Sequence, residues 1–483
     1  MLALVHSLLI ALVPVLALAS AGHALLFKRD SRSAFGWIAV SLMFPLIGPL
    51  FYFLFGINRV RTRAQELSRR SPFRLGIAFE RGDFGQIGVA TSPLDLPDRW
   101  RPFARVSDGL VPRALVRGNR VEPLFNGEQA YPAMLAAIEG ATHQIVLATY
   151  IFETNTSGRR FITALARASR RGVAVYILLD GLGELYSWPR AGRLLRRAGV
   201  RHARFLPPHL IPPSLHVNLR NHRKLLVVDG EVAFVGGMNI GDRHLVGRTD
   251  GSGVADVHFR LSGPVVTQVE TIFAEDWRFA TGELLTPAGG DEPAANGVED
   301  ARALCRAFSD GPNEDMDKLS MVLVAAVSLA RQRIDIMTPY FIPMPGLVMA
   351  LQTAALRGVH VRILLPERSN LPFVDWASRN MLWELLQYDI EIRYQPAPFP
   401  HSKLFLVDDH YAIIGSANVD PRSLRLNFEL AVEVFDRALV RELGEHCRTA
   451  AHASRQVTLE EVDARSLPVR VRDALCWLFS PYL

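Results

Sequence analysis

The chain has 483 residues, 49% of them hydrophobic, and its 54 Lys and Arg against 48 Asp and Glu give a formal net charge of +6. This length allows two or three domains with sizeable cores, and the apolar share is high for a purely soluble protein. Three widely spaced cysteines predict neither a disulfide framework nor a zinc site. The positive charge favours anionic partners, either nucleic acid or acidic lipid.

Two apolar runs open the chain, at residues 1–27 and 34–55. About 20 helical residues span a bilayer core of roughly 30 Å, so both runs are long enough. A cleavable signal peptide is the alternative for the first run, but no Lys or Arg precedes it. The two runs predict a transmembrane helical hairpin over residues 1–58, and Pro45, Gly48 and Pro49 leave open a kinked or re-entrant second segment.

Basic residues predict the orientation of this hairpin. Six arginines between Arg59 and Arg74 outnumber the three Lys and Arg residues in the turn between the runs. Because Lys and Arg favour the cytoplasmic side, the body of the chain after these arginines is predicted to be cytoplasmic. Residues 59–112, rich in Arg, Pro and Gly, are interpreted as a juxtamembrane connecting segment with some strand near residues 86–90.

The rest of the chain reads as two similar α/β regions, residues 113–285 and 301–483, joined by a Pro- and Gly-containing linker at 286–300. Strand, helix and strand with short connections predict a parallel βαβ unit in each region. The predicted helices are 130–140, 158–171, 190–198, 319–330, 347–356 and 376–388, and the predicted strands are 145–152, 173–179, 254–261, 334–338, 359–365 and 427–435. The fold class is therefore α/β, with two pseudo-symmetric lobes that share a cleft.

Each region carries the same motif, H-x-K-x4-D followed by G-[GS]-x-N at the same offset. The four hydrophobic residues after each Lys predict a strand, and Asp229-Gly230 predicts a two-residue hairpin turn. The twelve candidate site residues come from the two motifs and from a later acidic position: His222, Lys224, Asp229, Gly237, Asn239 and Asp256 in the first region, and His401, Lys403, Asp408, Ser416, Asn418 and Glu429 in the second.

The chemistry of these residue types suits a phosphate group. Lys gives charge-assisted hydrogen bonds to phosphoryl oxygens, Asn gives amide donors, and Gly lets backbone approach an anion. Two imidazoles provide what a double displacement at phosphorus needs, a nucleophile and an acid–base group. Neither a cluster with metal-ligand spacing nor a nucleotide-binding GxxxxGK[ST] motif is present, so no metal and no cofactor are predicted.

The paired motifs resemble the phospholipase D superfamily, and most closely the bacterial cardiolipin synthases. The resemblance extends along nearly the whole chain. It includes the segments Asn221-His-Arg-Lys224, Gly236-Gly-Met-Asn-Ile-Gly241, Thr338-Pro-Tyr-Phe-Ile-Pro343 and Asp420-Pro-Arg-Ser-Leu-Arg-Leu-Asn-Phe-Glu429. It implies a phosphatidyltransferase of the bacterial plasma membrane that joins two phosphatidylglycerol molecules through a phosphatidyl-His222 intermediate, with His401 as acid and base, and leaves open the reverse assignment of the two histidines. It also implies that Asp256 and Glu429 hold the far imidazole nitrogens of the catalytic histidines.

Several alternatives remain open. A phospholipase D-type hydrolase or nuclease shares the motifs, although two membrane segments favour a lipid substrate over nucleic acid, and an inactive scaffold is the third reading. Tyr150, Tyr340 and the helix 376–388 fit either contact with substrate or lipid, or core packing. Cardiolipin synthases usually have Tyr near position 244 and Arg before the residue matching Asp256, where this chain has His244 and Ala255. The sequence leaves the oligomeric state open.

Overall fold

The computed structural model of the chain describes residues 2–28, 31–56, 96–111, 113–208, 219–247, 253–288, 301–311 and 318–480. The helices of the first 56 residues belong to one compact unit, and the described residues from 96 onward belong to a second. The predicted strand near residues 86–90 and most of the linker predicted at 286–300 lie outside the described residues.

The first unit consists of α1 (Leu2–Phe27), α2 (Ser31–Met43), α3 (Ile47–Phe51) and a π-helical turn at Tyr52–Gly56. The second apolar run is therefore not one helix, because α2 ends at Met43 ahead of Pro45, and proline disfavours helical backbone in the residue before it. His23 Nδ1 and the Tyr52 hydroxyl, 2.7 Å apart, join α1 to the π-helical turn. Among the described residues, no helix combines the length and apolar character needed to cross a membrane.

The second unit is built on a mixed sheet of short strands and flanking helices. Its elements after α4 (Arg101–Leu110) are, in the first half, β1 (Val116–Phe125), α5 (Asn126–Gly140), β2 (Gln144–Thr149), α6 (Thr156–Arg170), β3 (Ala174–Asp180), α7 (Ala191–Arg197), β4 (His202–Phe205), β5 (Arg220–Asn221), β6 (Leu225–Val228), β7 (Val232–Gly236), β8 (Val254–Ala255), β9 (Val257–Ser262) and α8 (Val265–Thr281).

The second half repeats this arrangement. Its elements are β10 (Ala303–Asp310), α9 (Lys318–Leu329), β11 (Arg333–Met337), α10 (Pro345–Leu356), β12 (His360–Pro366), α11 (Pro372–Met381), α12 (Trp383–Leu386), β13 (Glu391–Gln395), β14 (Phe399–Pro400), β15 (Leu404–Val407), β16 (Tyr411–Gly415), α13 (Pro421–Arg425), β17 (Asn427–Phe435), α14 (Arg437–His452), β18 (Arg455–Val457), α15 (Leu459–Asp463) and α16 (Leu467–Leu478).

The strand order shows the pseudo-twofold relation of the two halves. In the described chain it runs β18-β13-β12-β11-β15-β16-β17-β10-β1-β9-β7-β6-β2-β3-β4, with β5 paired to β17. Reading outward from the antiparallel pair β1–β10, each half places the same kinds of strand in the same order. Each half also has its own core cluster of buried apolar side chains. This confirms the predicted α/β fold with two related halves.

Both predicted βαβ units are confirmed. β2 and β3 pair in parallel around α6, and β11 and β12 pair in parallel around α10. Asn155 caps the start of α6 by accepting a hydrogen bond from the Gly158 amide, and Gly172, with φ of +93°, follows its end. The carboxyl ends of these parallel strands meet one edge of the sheet, where Tyr150 and Tyr340 follow β2 and β11.

Each motif strand forms a hairpin with the strand that follows it, as predicted for the first motif, and two details of that prediction are corrected. β6 pairs with β7 from Val228 to Val232, so the turn has three residues rather than two, and Asp229 and Gly230 both adopt positive φ. The H-x-K spacing predicts that His222 and Lys224 share one face of the motif strand, but the strand begins at Leu225 and both residues precede it. The histidine segment is thus free to pair elsewhere.

Candidate active site

The segment that carries His222 pairs with the opposite half of the molecule. β5 adds to β17 as a short parallel strand, with Asn221 opposite Phe428. The His222 amide then donates to the Phe428 carbonyl at 2.9 Å. Because Glu429 follows Phe428 in the chain, this register brings its carboxylate to the imidazole, and the His222 Nδ1–Glu429 Oε1 distance is 2.9 Å.

His401 makes the reciprocal arrangement. β14 pairs in parallel with β8, placing Pro400 opposite Ala255. The His401 amide donates to the Ala255 carbonyl at 2.7 Å, and the next residue, Asp256, accepts from His401 Nδ1 at 2.8 Å. Each imidazole is therefore oriented by a carboxylate from the other half, and neither half contains a complete site.

These contacts define the chemical state of the imidazoles. When Nδ1–H donates to a carboxylate, the neutral ring presents Nε2 with its lone pair. Burial lowers the pKa of His222 to about 4, although the Glu429 carboxylate acts to raise it. Burial, followed by the charge of Lys403, also lowers the pKa of His401 well below its usual value. The lowered pKa values favour the neutral form of both rings near pH 7, the form in which imidazole is a nucleophile or base.

The two lysines lie beside the histidines of their own motifs. Lys224 Nζ donates to the His222 carbonyl at 2.6 Å, and Lys403 Nζ donates to the His401 carbonyl. Burial lowers the pKa of Lys403 to about 8, and it also lowers the pKa of Lys224 well below its usual value, although Asp256 and Glu429 act to raise both. An anion entering the site would favour the charged ammonium form of both groups.

The glycine and serine that follow the motifs make room for the carboxylates and hold them. A Cβ on Gly237 would lie 2.6 Å from Asp256 Oδ2 and 3.0 Å from Lys403 Cδ, so the site requires glycine there. At the matching position of the second half, the Ser416 hydroxyl donates to Glu429 Oε2 at 2.5 Å. Gly237 and Ser416 therefore contact the acids rather than an open phosphate position.

The two asparagines differ in their partners. Asn239 Oδ1 accepts a hydrogen bond from the Ile151 amide at 3.0 Å, which fixes the side chain and directs its NH2 group away from that contact. Asn418 Oδ1 is buried without a hydrogen-bond partner among the described residues. The unpartnered atom of Asn418 is thus an acceptor oxygen, and the same side chain hydrogen-bonds the Asp420 carboxylate.

Residues that the sequence analysis did not select support the His222 segment. The Asp180 carboxylate accepts from the Asn221 amide at 2.8 Å, and Asp276 accepts from Asn221 Nδ2 at 3.0 Å and from Arg223. Arg223 Nε also donates to the Glu429 carbonyl at 2.9 Å. Of these residues, only Arg223 could have been noticed in the sequence, because its long cationic side chain lies between the motif His and Lys.

Two further histidines, also not selected, flank Asp256. His244 and His258 are buried, and burial lowers their pKa values to about 3 and about 4. His244 Nε2 accepts from the Asn239 amide at 3.2 Å, and its ring centroid lies 6.3 Å from that of His401. The His at position 244 therefore packs into the site, whereas Ala255 takes part through its backbone carbonyl.

Tyr150 and Tyr340 both lie at the cleft edge. The Tyr150 ring centroid is 5.2 Å from that of His222 and 5.4 Å from Lys224 Nζ. The Tyr340 hydroxyl donates to Asn370 Oδ1 at 2.7 Å. Burial raises the pKa of both phenols, and Tyr186 raises both further, so this third tyrosine lies near the other two.

Asp229 and Asp408, predicted with the catalytic residues, have their partners elsewhere. Asp229 accepts from the amides of Thr142, His143 and Gln144, each at 2.8 Å, and from the Thr142 hydroxyl at 2.9 Å. Asp408 accepts from the Gln332 amide at 2.8 Å and from Arg99 at 3.0 Å. A strand rises about 3.3 Å per residue, so each Asp lies roughly 16 Å along the strand from its motif Lys. In this geometry each Asp fastens the loop before β2 or β11, and its inclusion among the catalytic residues stays a prediction.

The site combines two neutral imidazoles, two carboxylates and two lysines. Within the described residues, no group of three or more His, Cys, Asp or Glu side chains has metal-binding geometry. Such a site can transfer a phosphoryl-type group by attack of one imidazole and proton transfer through the other.

Comparison with known proteins gives two family matches. The model described as Cardiolipin synthase, PLD-like domain matches residues 134–277 and 323–449. The model described as Phospholipase D-nuclease N-terminal matches residues 8–56. The two segments of the first match contain both histidines, both lysines and both carboxylates described above.

Individual relatives extend the similarity over almost the whole chain. A cardiolipin synthase of Geobacillus kaustophilus is 33% identical over 465 residues, covering 94% of this chain and 90% of the relative. A cardiolipin synthase A of Pseudomonas putida is 32% identical over 491 residues, covering 98% and 97%. The crystal structure of a phosphatidylserine synthase from Haemophilus influenzae superposes with a TM-score of 0.61 at 15% identity, over 79% of this chain and 100% of that one, and shows the shared fold.

The structural role of Asp229 can be tested with Asp229→Asn, which tolerates the positive φ but turns an NH2 group toward amide donors. We expect the free energy of unfolding at pH 7 to fall by about 1–3 kcal/mol. Burial acts to raise the pKa of Asp229, but hydrogen bonds from Thr142, Gln144 and His143 hold it below 3.8. The difference in unfolding free energy between the wild type and Asp229→Asn is therefore fully present above the pKa of an unfolded Asp. It is lost as the pH falls through the lower folded-state pKa of Asp229.

Urea unfolding at pH 7 and pH 3 measures this difference. Glu231→Gln, at an exposed neighbouring position, is the matched control and should change stability by less than about 0.5 kcal/mol. A stable Asp229→Asn protein that has lost its activity would instead place Asp229 in the chemistry.

Proposed function

Because this chain belongs to the cardiolipin synthase family with phospholipase D-like domains, we propose that it is a phosphatidyltransferase that joins two phosphatidylglycerol molecules into cardiolipin and releases glycerol. The observation that carries the proposal is the crossed pairing of two imidazoles with two carboxylates. It supplies two separate acid–base groups in one site, as a double displacement requires.

In the first step, Nε2 of His222 attacks the phosphorus of the donor lipid. A P–N bond forms, the bond from phosphorus to the glycerol oxygen breaks, and the departing oxygen takes a proton from His401. The negative phosphodiester raises the pKa of His401 on binding, so that the ring can carry that proton. The Glu429 carboxylate stabilises the positive charge that develops on the His222 ring.

In the second step, neutral His401 accepts the proton of a glycerol hydroxyl of the second phosphatidylglycerol. The hydroxyl oxygen attacks phosphorus, the P–N bond breaks, and His222 returns to its neutral form. One phosphodiester is exchanged for another, so the reaction is nearly balanced in energy and needs no nucleotide. Lys224 and Lys403, with the amides of Asn239 and Asn418, stabilise the negative phosphoryl oxygens. Gly237 and Ser416 act by accommodating and holding the carboxylates.

The N-terminal unit fits a role in membrane attachment. Apolar side chains such as Leu26 and Phe35 are 76% and 75% exposed on its helices, and such surfaces are unfavourable in water. We propose that residues 1–58 form an apolar hairpin that anchors the enzyme in the bacterial plasma membrane, with a bent second segment. The arginines from residue 59 onward favour the cytoplasmic side for the catalytic body.

The proposed reaction predicts its products. The purified chain, incubated with phosphatidylglycerol in detergent, should yield cardiolipin and free glycerol in equal amounts, which lipid mass spectrometry and a glycerol assay measure. His222→Ala, prepared in the same way, controls for a contaminating synthase and should yield neither. If phosphatidic acid were the main product, the enzyme would be a hydrolase and the proposed transferase activity would be wrong.

The roles of the two histidines predict which variant can be trapped. His401→Ala keeps the nucleophile but loses the general acid, worth about 10²–10⁴-fold in rate. With a phosphatidyl nitrophenol, whose leaving group needs no proton, this variant should still be phosphatidylated and should accumulate the adduct. Intact-protein mass spectrometry detects the added mass, and peptide mapping should place it on His222. An adduct on His401 of the His222→Ala chain, with none on His222 of the His401→Ala chain, would reverse the assignment.

A further inference from the structure

The mouth of the cleft carries large apolar side chains that are exposed to solvent, on loops that occupy matching positions in the two halves. In the first half, residues 181–189 after β3, called the Trp188 loop here, expose Trp188 by 80%. In the second half, residues 369–373, which lead from β12 into the first turn of α11 and are called the Phe373 loop here, expose Phe373 by 63%. Both segments follow the carboxyl end of a parallel strand, the same edge of the sheet at which Tyr150 and Tyr340 lie.

Direct contacts connect these loops to the reacting groups. Tyr186, two residues before Trp188, has its ring centroid 6.0 Å from that of Tyr150, which in turn lies 5.2 Å from His222. On the other side, Asn370 binds the Tyr340 hydroxyl three residues before Phe373. The exposed aromatic side chains therefore flank the entrance to the cleft.

The C-terminal helix α16 extends this surface. It packs against α11 in the opposite direction, because Arg465 before its start binds the Arg379 carbonyl near the end of α11, and Arg472 lies 4.4 Å from the Trp376 ring. Its buried side contains Asp473, whereas Leu467, Val471, Leu475 and Leu478 form an exposed stripe at helical spacing. The end of α16, with exposed Phe479, thus lies toward the same end of α11 as Phe373.

Exposed arginines border the apolar surface. Arg190 follows the Trp188 loop, Arg368 precedes the Phe373 loop, and Arg470 lies on α16. Aromatic side chains beside cations are the composition that binds the interface of an anionic bilayer, where the rings enter the headgroup region and the arginines meet phosphates.

We propose that this surface, formed by the Trp188 loop, the Phe373 loop and α16, docks the catalytic body on the surface of an anionic lipid bilayer with the cleft facing the lipid. The inference rests on the proposed function, because a lipid substrate must leave the bilayer to reach His222. Docking at the cleft mouth shortens that path, and it acts in addition to the N-terminal anchor.

Position-specific fluorescence in the full-length chain tests this docking without requiring turnover. Trp188→Cys and Phe373→Cys accept an NBD label, and the unsubstituted chain, whose three cysteines are buried, reports background labelling. His143→Cys is the matched control, since His143 is exposed but precedes β2 at the opposite edge of the sheet. The proteins are reconstituted into phosphatidylglycerol-containing vesicles with or without lipids carrying a nitroxide on the acyl chain.

We expect a blue-shifted emission that the nitroxide lipids quench at positions 188 and 373, and no quenching at 143. Emission typical of water at 188 and 373 would overturn the proposal. A blue shift without quenching would also overturn it, because protein, either a second copy or the N-terminal helices, would then cover the surface. If the enzyme makes no cardiolipin but the labels are quenched, the proposed function fails and the docking stands.

Kinetics give a second, independent readout. Trp188→Ser combined with Phe373→Ser should lower the rate on vesicles by about tenfold, since losing roughly 1.4 kcal/mol of apolar burial is a factor of ten. The rate on a short-chain phosphatidylglycerol below its micelle concentration should stay unchanged. The control is Leu284→Ser, because Leu284 is apolar and 78% exposed. It lies at the opposite edge of the sheet, since the preceding residue, Glu283, pairs with Arg201 just before β4. Equal losses on both substrates would indicate a general defect and contradict docking.

Discussion

The site depends on an exchange of short strands between the two halves. Each histidine segment adds in parallel to the strand that carries the other half's acid, and one backbone hydrogen bond, from His222 to Phe428 or from His401 to Ala255, sets the register. The carboxylate one residue further on then meets Nδ1. Because the register of a strand fixes which side chains share a face, a one-residue shift would remove the acid from the imidazole. The site is therefore complete only when the two halves are folded and paired with each other.

Much of this fold could be predicted from local pattern. The βαβ units appear in the sequence as short apolar strands separated by helices that end at Gly172 and Gly358, and the motif repeat indicates two related halves. The histidines, lysines and carboxylates could be identified as a group because charged and polar side chains recur at equal spacing in both regions. The resemblance to a known family added that the two motifs share one site.

The remaining features depend on contacts that no local pattern encodes. In H-x-K-x4-D, a four-residue strand separates the Lys from the Asp, and the spacing alone does not show on which side of that strand the chemistry takes place. It therefore did not reveal that Asp229 and Asp408 fasten loops at the end of the strand away from the histidines. Asp180 and Asp276 lie far from His222 in the chain, and their role follows only from the folded arrangement. The second apolar run was long enough for one helix by composition, yet α2 ends before Pro45.

The crossed pairing is the central claim, and adduct formation in the His401→Ala background tests it most directly. With an activated substrate, the rate of His222 phosphatidylation is measured by rapid-quench mass spectrometry in two further variants. Glu429→Gln should slow the reaction by about 10²–10⁴-fold, because it removes the carboxylate that orients His222 and stabilises its positive charge. Asp256→Asn should leave the rate nearly unchanged, because its partner imidazole is already absent. A larger effect from Asp256→Asn than from Glu429→Gln would contradict the account.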